Sequence, residues 1–217
     1  MDIVSYLLGK NASGGGGGGG DLDWTVLGYT GTPQCIIDGY NYAKTIQQNF
    51  VPNASMQTKY RNDYKLIFFP YVDTSITTMF YGMFQGATSL LSVALIDTSQ
   101  ATSMGNMFNE CRALKEIPQF DTSSCTYFGD MFNRCLALEN VPILDTSKAT
   151  SMSSMFSNCN SLSNTSLNNI MQMCINATSY TGTKTLATLG ISSTQATTCQ
   201  SLSNYTAFTN AGWTTGY

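Results

Sequence analysis

Asp-Thr-Ser recurs at Asp73, Asp97, Asp121 and Asp145, each copy 24 residues after the last. Met-Phe follows at one offset every time, as Met83-Phe84, Met107-Phe108, Met131-Phe132 and Met155-Phe156. Leucine keeps the same step at Leu66, Leu90, Leu114, Leu138 and Leu162. Self-similarity at a fixed period of roughly 20–50 residues is the mark of a repeat architecture, in which one unit cannot bury its apolar edge alone and stacks on its neighbours.

Comparing the copies with one another turns the columns into structure. Before each Asp lies a short apolar segment, Leu66, Phe69 and Val72 in the first copy and Leu90, Val93 and Ile96 in the second. It is rich in β-branched residues and too brief for a helix, so it reads as one strand per repeat. Pro70, Pro118 and Pro142 cut that strand short, since proline offers no ladder donor. Asp-Thr-Ser then turns the chain, its side-chain oxygens accepting from nearby backbone N–H groups. Met104, Met107, Phe108 and Cys111 follow at spacings of three and four, which predicts one or two helical turns per copy. The expected fold is therefore an α/β repeat. It is a short right-handed leucine-rich-repeat solenoid, with one short parallel strand and one short helix per unit and a helical cap at each end.

The consensus D-T-S-x-A-T-x-M-x-x-M-F-x-x-C-x-x-L-x-x-I-P-x-L, carried best by residues 97–120 and 145–162, resembles the BspA-like leucine-rich repeats of bacterial surface proteins. The likeness covers about half the chain. It implies a binding or display scaffold and carries over no catalytic residue, because the family pattern contains none.

Composition narrows the chemistry. A net charge of -3 with 11% charged residues leaves no basic face, so nucleic acid is not an expected partner. The chain has no histidine, which removes Ser-His-Asp and Cys-His nucleophile systems, histidine metal sites and the usual neutral-pH base. The scattered acids show no recurrent pair, so no enzyme and no cofactor are expected. Cys111, Cys135 and Cys159 share a column with Ala87, and Cys125 shares one with Ala101 and Ala149. Stacked coils would bring the first three within disulfide range, but a slot that alanine also fills reads as a small buried thiol. Cys35, Cys174 and Cys199 lie in the flanks, and there is no CxxC pair. The four Asp residues with Ser75, Ser99, Ser123 and Ser147 invite a calcium reading, but turn capping uses the same atoms and calcium repeats supply more acids per turn. No metal is expected.

The flanks give five segments: an N-terminal docking peptide (1–13), a polyglycine linker (14–20), an N-terminal cap (21–65), the repeats (66–162) and a C-terminal cap (163–217). Ile3, Val4, Tyr6, Leu7 and Leu8 make an apolar stretch too short to span a bilayer, and Gly14 to Gly20 would tether it flexibly. The peptide thus reads as a docking device for another virion or surface protein. Thr32-Pro33 opens a helix with Ile36, Tyr40, Ala43, Ile46 and Phe50 on one face, ended by Pro52-Asn53. After Leu162 the pattern breaks. A capping helix is expected from about Ser166, a last strand over Lys184 to Ile191 and another helix over Ser193 to Leu202.

Constant columns read as core and variable ones as surface. The variable positions of the strand segment, Phe68, Tyr71, Leu95, Glu116, Gln119, Asn140 and Ile143, are the candidate binding face. A host surface protein or a glycan would be its ligand, and a homo-oligomer is compatible with the same face. The expectation is a phage virion appendage or decoration protein, held by its N-terminal arm and displaying the repeats for host contact. The absence of a visible export signal favours the virion as its location. The alternative is a bacterial cell-surface adhesin or interaction module.

Overall fold

The computed structural model describes residues 34–217. The helix α1, Gln34–Asn49, comes first. The repeats follow, with β1 (Phe68–Phe69) and β2 (Ser92–Val93) paired in parallel, Phe68 opposite Ser92 and Phe69 opposite Val93. The chain ends in α2 (Asn164–Asn176), α3 (Ser193–Cys199) and α4 (Tyr205–Asn210).

Strand content is lower than the apolar runs suggest. Beyond β1 and β2, the same column continues as a single parallel bridge between Glu116 and Asn140. A second column of parallel bridges links Ser55, Met79, Ser103, Tyr127 and Ser151. Each step spans one 24-residue unit, and the first lies inside the segment expected to be a cap. Residues 53–65 therefore contribute half of an additional coil.

The short helix expected in each repeat is absent. Residues 81–86, 105–110, 129–134 and 153–158 are turns. The reason lies in where their N–H groups go. Asn106, Phe108 and Glu110 donate to the carbonyls of Gly129, Met131 and Asn133 in the next coil, at 2.9, 2.9 and 2.8 Å. Met107 and Cys111, between and after them, donate three residues back, to Met104 and Phe108, at 3.1 and 2.9 Å. A helix would commit every N–H within its own turn; here alternate ones reach across. The alternation needs left-handed backbone twice per coil, at Asn106 (φ 57) and Glu110 (φ 62), and again at Asp130, Arg134, Ser154 and Asn158. Gly82 and Gly86 hold the same two positions in the first repeat, the residue type for which that region carries no Cβ penalty. Tandem tight turns thus reproduce the spacing of three and four that reads as helical.

The coils bury one face together. Phe84, Phe108, Phe132 and Phe156 form a column of near-parallel rings, with centroids 5.5, 5.7 and 5.5 Å apart. Tyr60 extends it into the first half-coil at 6.0 Å. Met83, Met107, Met131 and Met155 and the leucine column from Leu66 to Leu138 are buried beside them. The threonine of each Asp-Thr-Ser is also buried. Thr74, Thr98 and Thr122 Oγ1 donate to the carbonyls of Asp97, Asp121 and Asp145, at 2.7, 2.9 and 2.9 Å. This side chain therefore ties neighbouring coils and does not accept locally, as its place in a turn motif suggests. A buried polar group made whole in this way holds register as well as stability.

Helices close the flanks. α1 packs across β1, and Tyr42 Oη donates to Asp63 at 2.7 Å. At the far end α2 satisfies the last strand segment with side chains. Ser166 Oγ accepts from Val141 N at 2.9 Å and donates to the Glu139 carbonyl at 2.8 Å, while Asn169 Nδ2 donates to the Val141 carbonyl at 2.9 Å. The segment expected as a final strand over Lys184 to Ile191 is instead mainly turn, with one parallel bridge from Thr185 to Thr214. Its Thr188 and Leu189 carbonyls accept from Ser154 and Phe156 N–H, each at 2.8 Å, so it finishes the inter-coil ladder. Trp213 is buried against Tyr180, centroids 5.3 Å apart.

Because the Phe108 ring is stacked between Phe84 and Phe132, Phe108→Ala should destabilise the whole stack by about 3–5 kcal/mol. Ile76→Ala, at an exposed position, should stay within about 0.5 kcal/mol. Urea unfolding of both variants, followed by circular dichroism, checks the contrast.

Candidate functional site

The strand-side column two residues before each Asp is the main outward-facing apolar feature of the repeats. Tyr71, Leu95 and Ile143 are 55, 59 and 42% exposed. Gln119, the fourth member, is exposed too, and its Nε2 donates to the Ile143 carbonyl at 2.8 Å. Gln47 of α1 makes the equivalent bond three units earlier, to the Tyr71 carbonyl at 3.1 Å. The face is thus a line of three apolar side chains, with an amide pinned to the backbone within it.

The other candidate column divides. Glu116 and Asn140 are exposed, whereas Phe68 is buried at 4% and does not belong to an open face. The cause is α1, which lies over β1. Gly39 permits the approach, since a Cβ there would sit 2.8 Å from Ile67 Cβ. Ser92, opposite Phe68, is buried with it, and its Oγ has no hydrogen-bond partner among the described residues. Ile3, Val4, Tyr6, Leu7 and Leu8 lie outside the described residues.

Sequence reasoning missed a shallow groove of about 790 Å³ at the C-terminal end of this face. Gln119, Ile143, Asp121 and Asp145 with their serines line it, together with Ile175 and Asn176 at the end of α2. No pattern in the repeats foretells it, because the helix that completes it lies beyond the last full copy.

The aspartates hold turns. Ser75, Ser99, Ser123 and Ser147 N–H donate to Asp73, Asp97, Asp121 and Asp145 Oδ1 at 2.9–3.0 Å. The hydrogen bonds from Ser75 Oγ and then its N–H draw the Asp73 carboxyl below its ordinary value of 3.8. Those from the Ser123 and Ser147 N–H groups, aided by the hydroxyls, do the same at Asp121 and Asp145. Among the described residues no three His, Cys, Asp or Glu side chains converge as metal ligands would.

The thiols of the repeat column are buried and hydrogen-bonded. Cys111, Cys135 and Cys159 Sγ donate to the Phe84, Phe108 and Phe132 carbonyls of the preceding coil at 3.1, 3.0 and 3.0 Å. Burial pushes all three thiols up, with Cys135 well above the ordinary value of 9.0. Cys125, Cys174 and Cys199 are also buried and free.

With the coils, the groove and the helical closure in place, comparison with known proteins becomes specific. The family described as "Mycoplasma protein of unknown function, DUF285" matches residues 71–187. The chain belongs to this family. The match covers more than half of the 217 residues and runs past the fourth copy, through α2, to the segment that finishes the ladder. No curated protein and no solved structure matches the chain.

Two expectations follow from this geometry. A carboxyl with a lowered folded-state pKa contributes stability that is present above its unfolded value and lost as pH falls through the folded one. Melting temperature should therefore drop below about pH 4, and more gently in an Asp73→Asn, Asp121→Asn, Asp145→Asn triple variant. Thiolate is the reactive form, so the six described cysteines should resist iodoacetamide at neutral pH and react after denaturation, as read by mass spectrometry.

Proposed function

We propose that this protein is a non-enzymatic display and binding scaffold, a short leucine-rich-repeat solenoid of the BspA-like type. The exposed line of Tyr71, Leu95 and Ile143 on a rigid stack carries the reading. Large apolar side chains aligned on one face of a repeat protein fit a contact surface better than they fit solvent. The 24-residue consensus supports the repeat type, and the DUF285 family is associated with BspA-like repeat surface proteins. The absence of histidine and the engagement of the aspartates as turn caps leave little for catalysis to use.

The setting that fits best is a phage virion appendage or decoration protein. Its N-terminal arm, with Ile3, Val4, Tyr6, Leu7 and Leu8 ahead of the polyglycine run, would dock on another virion protein. The repeats would then face a host protein or glycan. A bacterial cell-surface adhesin is the second reading, favoured by the likeness of the 24-residue consensus to the BspA-like repeats of bacterial surface proteins. Mass spectrometry of purified particles separates the two, since the virion reading needs the protein there and an envelope-only location would replace it with the second. In either setting, a Tyr71→Asp, Leu95→Asp variant should melt close to the wild type and bind target cells roughly tenfold more weakly. Unchanged binding would remove this face from the proposal.

A further inference from the structure

The groove at the C-terminal end of the repeats gathers negative charge from three sources. Asp121 and Asp145 line it from adjacent coils. Both are exposed, and hydrogen bonds from the Ser123 and Ser147 N–H groups and hydroxyls hold both carboxyls below their ordinary value, so both are ionised at neutral pH. On Asp145, burial and then the Asp121 charge work against those bonds, while Lys148 works with them. The third source is α2, whose last residue, Asn176, lines the groove. A helix C-terminus carries partial negative charge and favours a cation, yet the last turn of α2 holds no basic residue. Ile143 and Ile175 add apolar surface, and Ile143 also belongs to the exposed row with Tyr71 and Leu95.

These features select a ligand group. Two carboxylates on coils about 4.8 Å apart, with apolar surface beside them, match a planar guanidinium and its aliphatic stem. Arginine presents five donors in a rigid fork, whereas lysine is a compact point charge. A long cationic side chain also lays its stem on apolar surface while its head stays wet. The chain's own arginines are placed elsewhere. Arg112 and Arg134 pair with Glu110 at 3.0 and 3.1 Å, and Arg61 lies in the half-coil at the opposite end of the stack. The first 33 residues contain no arginine. An exposed ion pair is weak alone, so the groove suits a second point of attachment for a partner that the row already holds.

We propose that the groove takes an arginine side chain of the protein that the exposed row contacts. This role rests on the display reading and supplies the chemistry of its partner. NMR titration of the full chain with N-acetyl-arginine methylamide reads the groove without target cells, so the groove can fail while the row still binds them. Amides of Ser123, Ser147, Ile175 and Asn176 should shift at millimolar concentrations, and the response should weaken as salt rises. An Asp121→Asn, Asp145→Asn variant keeps a side-chain oxygen to accept from each serine N–H, and it should bind roughly fivefold more weakly. Thr178→Lys, which sets a cation on the rim, should weaken binding too. The uncharged N-acetyl-citrulline methylamide should leave those amides unmoved. Equal shifts with citrulline or with N-acetyl-lysine methylamide, or an unchanged response in the Asn variant, would overturn the proposal. So would a dimer in sedimentation that the Asn variant abolishes, which would give the groove to a second copy.

Discussion

Everything in this molecule depends on backbone hydrogen bonds that run between coils 24 residues apart. They take alternate N–H groups of the turn halves, and the groups in between close tight turns within the coil. That division fixes the height of each layer, and the height decides what can occupy the core. Phenyl rings 5.5–5.7 Å apart stack face to face in an unbroken column. A thiol in the cysteine column reaches the phenylalanine carbonyl of the layer before it. A buried threonine reaches the aspartate carbonyl of the layer after it. Each repeated side chain is thus a spacer and a tie between layers.

The same constraint separates scaffold from surface. The buried Met, Phe and Leu columns recur in every copy, whereas the outward column two residues before each Asp differs from copy to copy. Tyr71, Leu95, Gln119 and Ile143 occupy one outward column with four unlike contacts to offer. Where the regular stack meets α2, that column opens into the groove lined by Asp121, Asp145 and Ile175. The proposed contact function needs no further machinery than this, a rigid row of variable side chains with a recess at one end.

Much of the architecture was legible in the sequence because the copies could be compared with one another. The period, the buried Met, Phe and Leu columns and the small-residue slot at Cys111, Cys135 and Cys159 all follow from that comparison. The helix expected at Met104 to Cys111 did not form, since two consecutive tight turns and a helix place apolar residues at the same intervals. Only the path of the N–H groups distinguishes them, and residue type does not encode it. Glu110 and Arg134 hid the left-handed positions, which Gly82 and Gly86 mark openly in one copy alone. Phe68 read as surface because the column it shares with Glu116 and Asn140 is open there. The covering helix acts on one end of the stack, and a pattern of repeats carries no information about its ends. The first half-coil escaped notice for the same reason, having Met56 and Tyr60 but no Asp-Thr-Ser ahead of it.

Identical ties between successive layers have an evolutionary corollary. Excising residues 97–120 would join Ile96 to Asp121, restoring an apolar residue ahead of Asp-Thr-Ser and leaving each surviving layer facing a partner of the kind it already had. Duplicating them would do the reverse. Reach is therefore adjustable by whole increments of gene sequence, with the terminal fittings left untouched, and lineages bearing such chains can lengthen or shorten them without inventing a new interface.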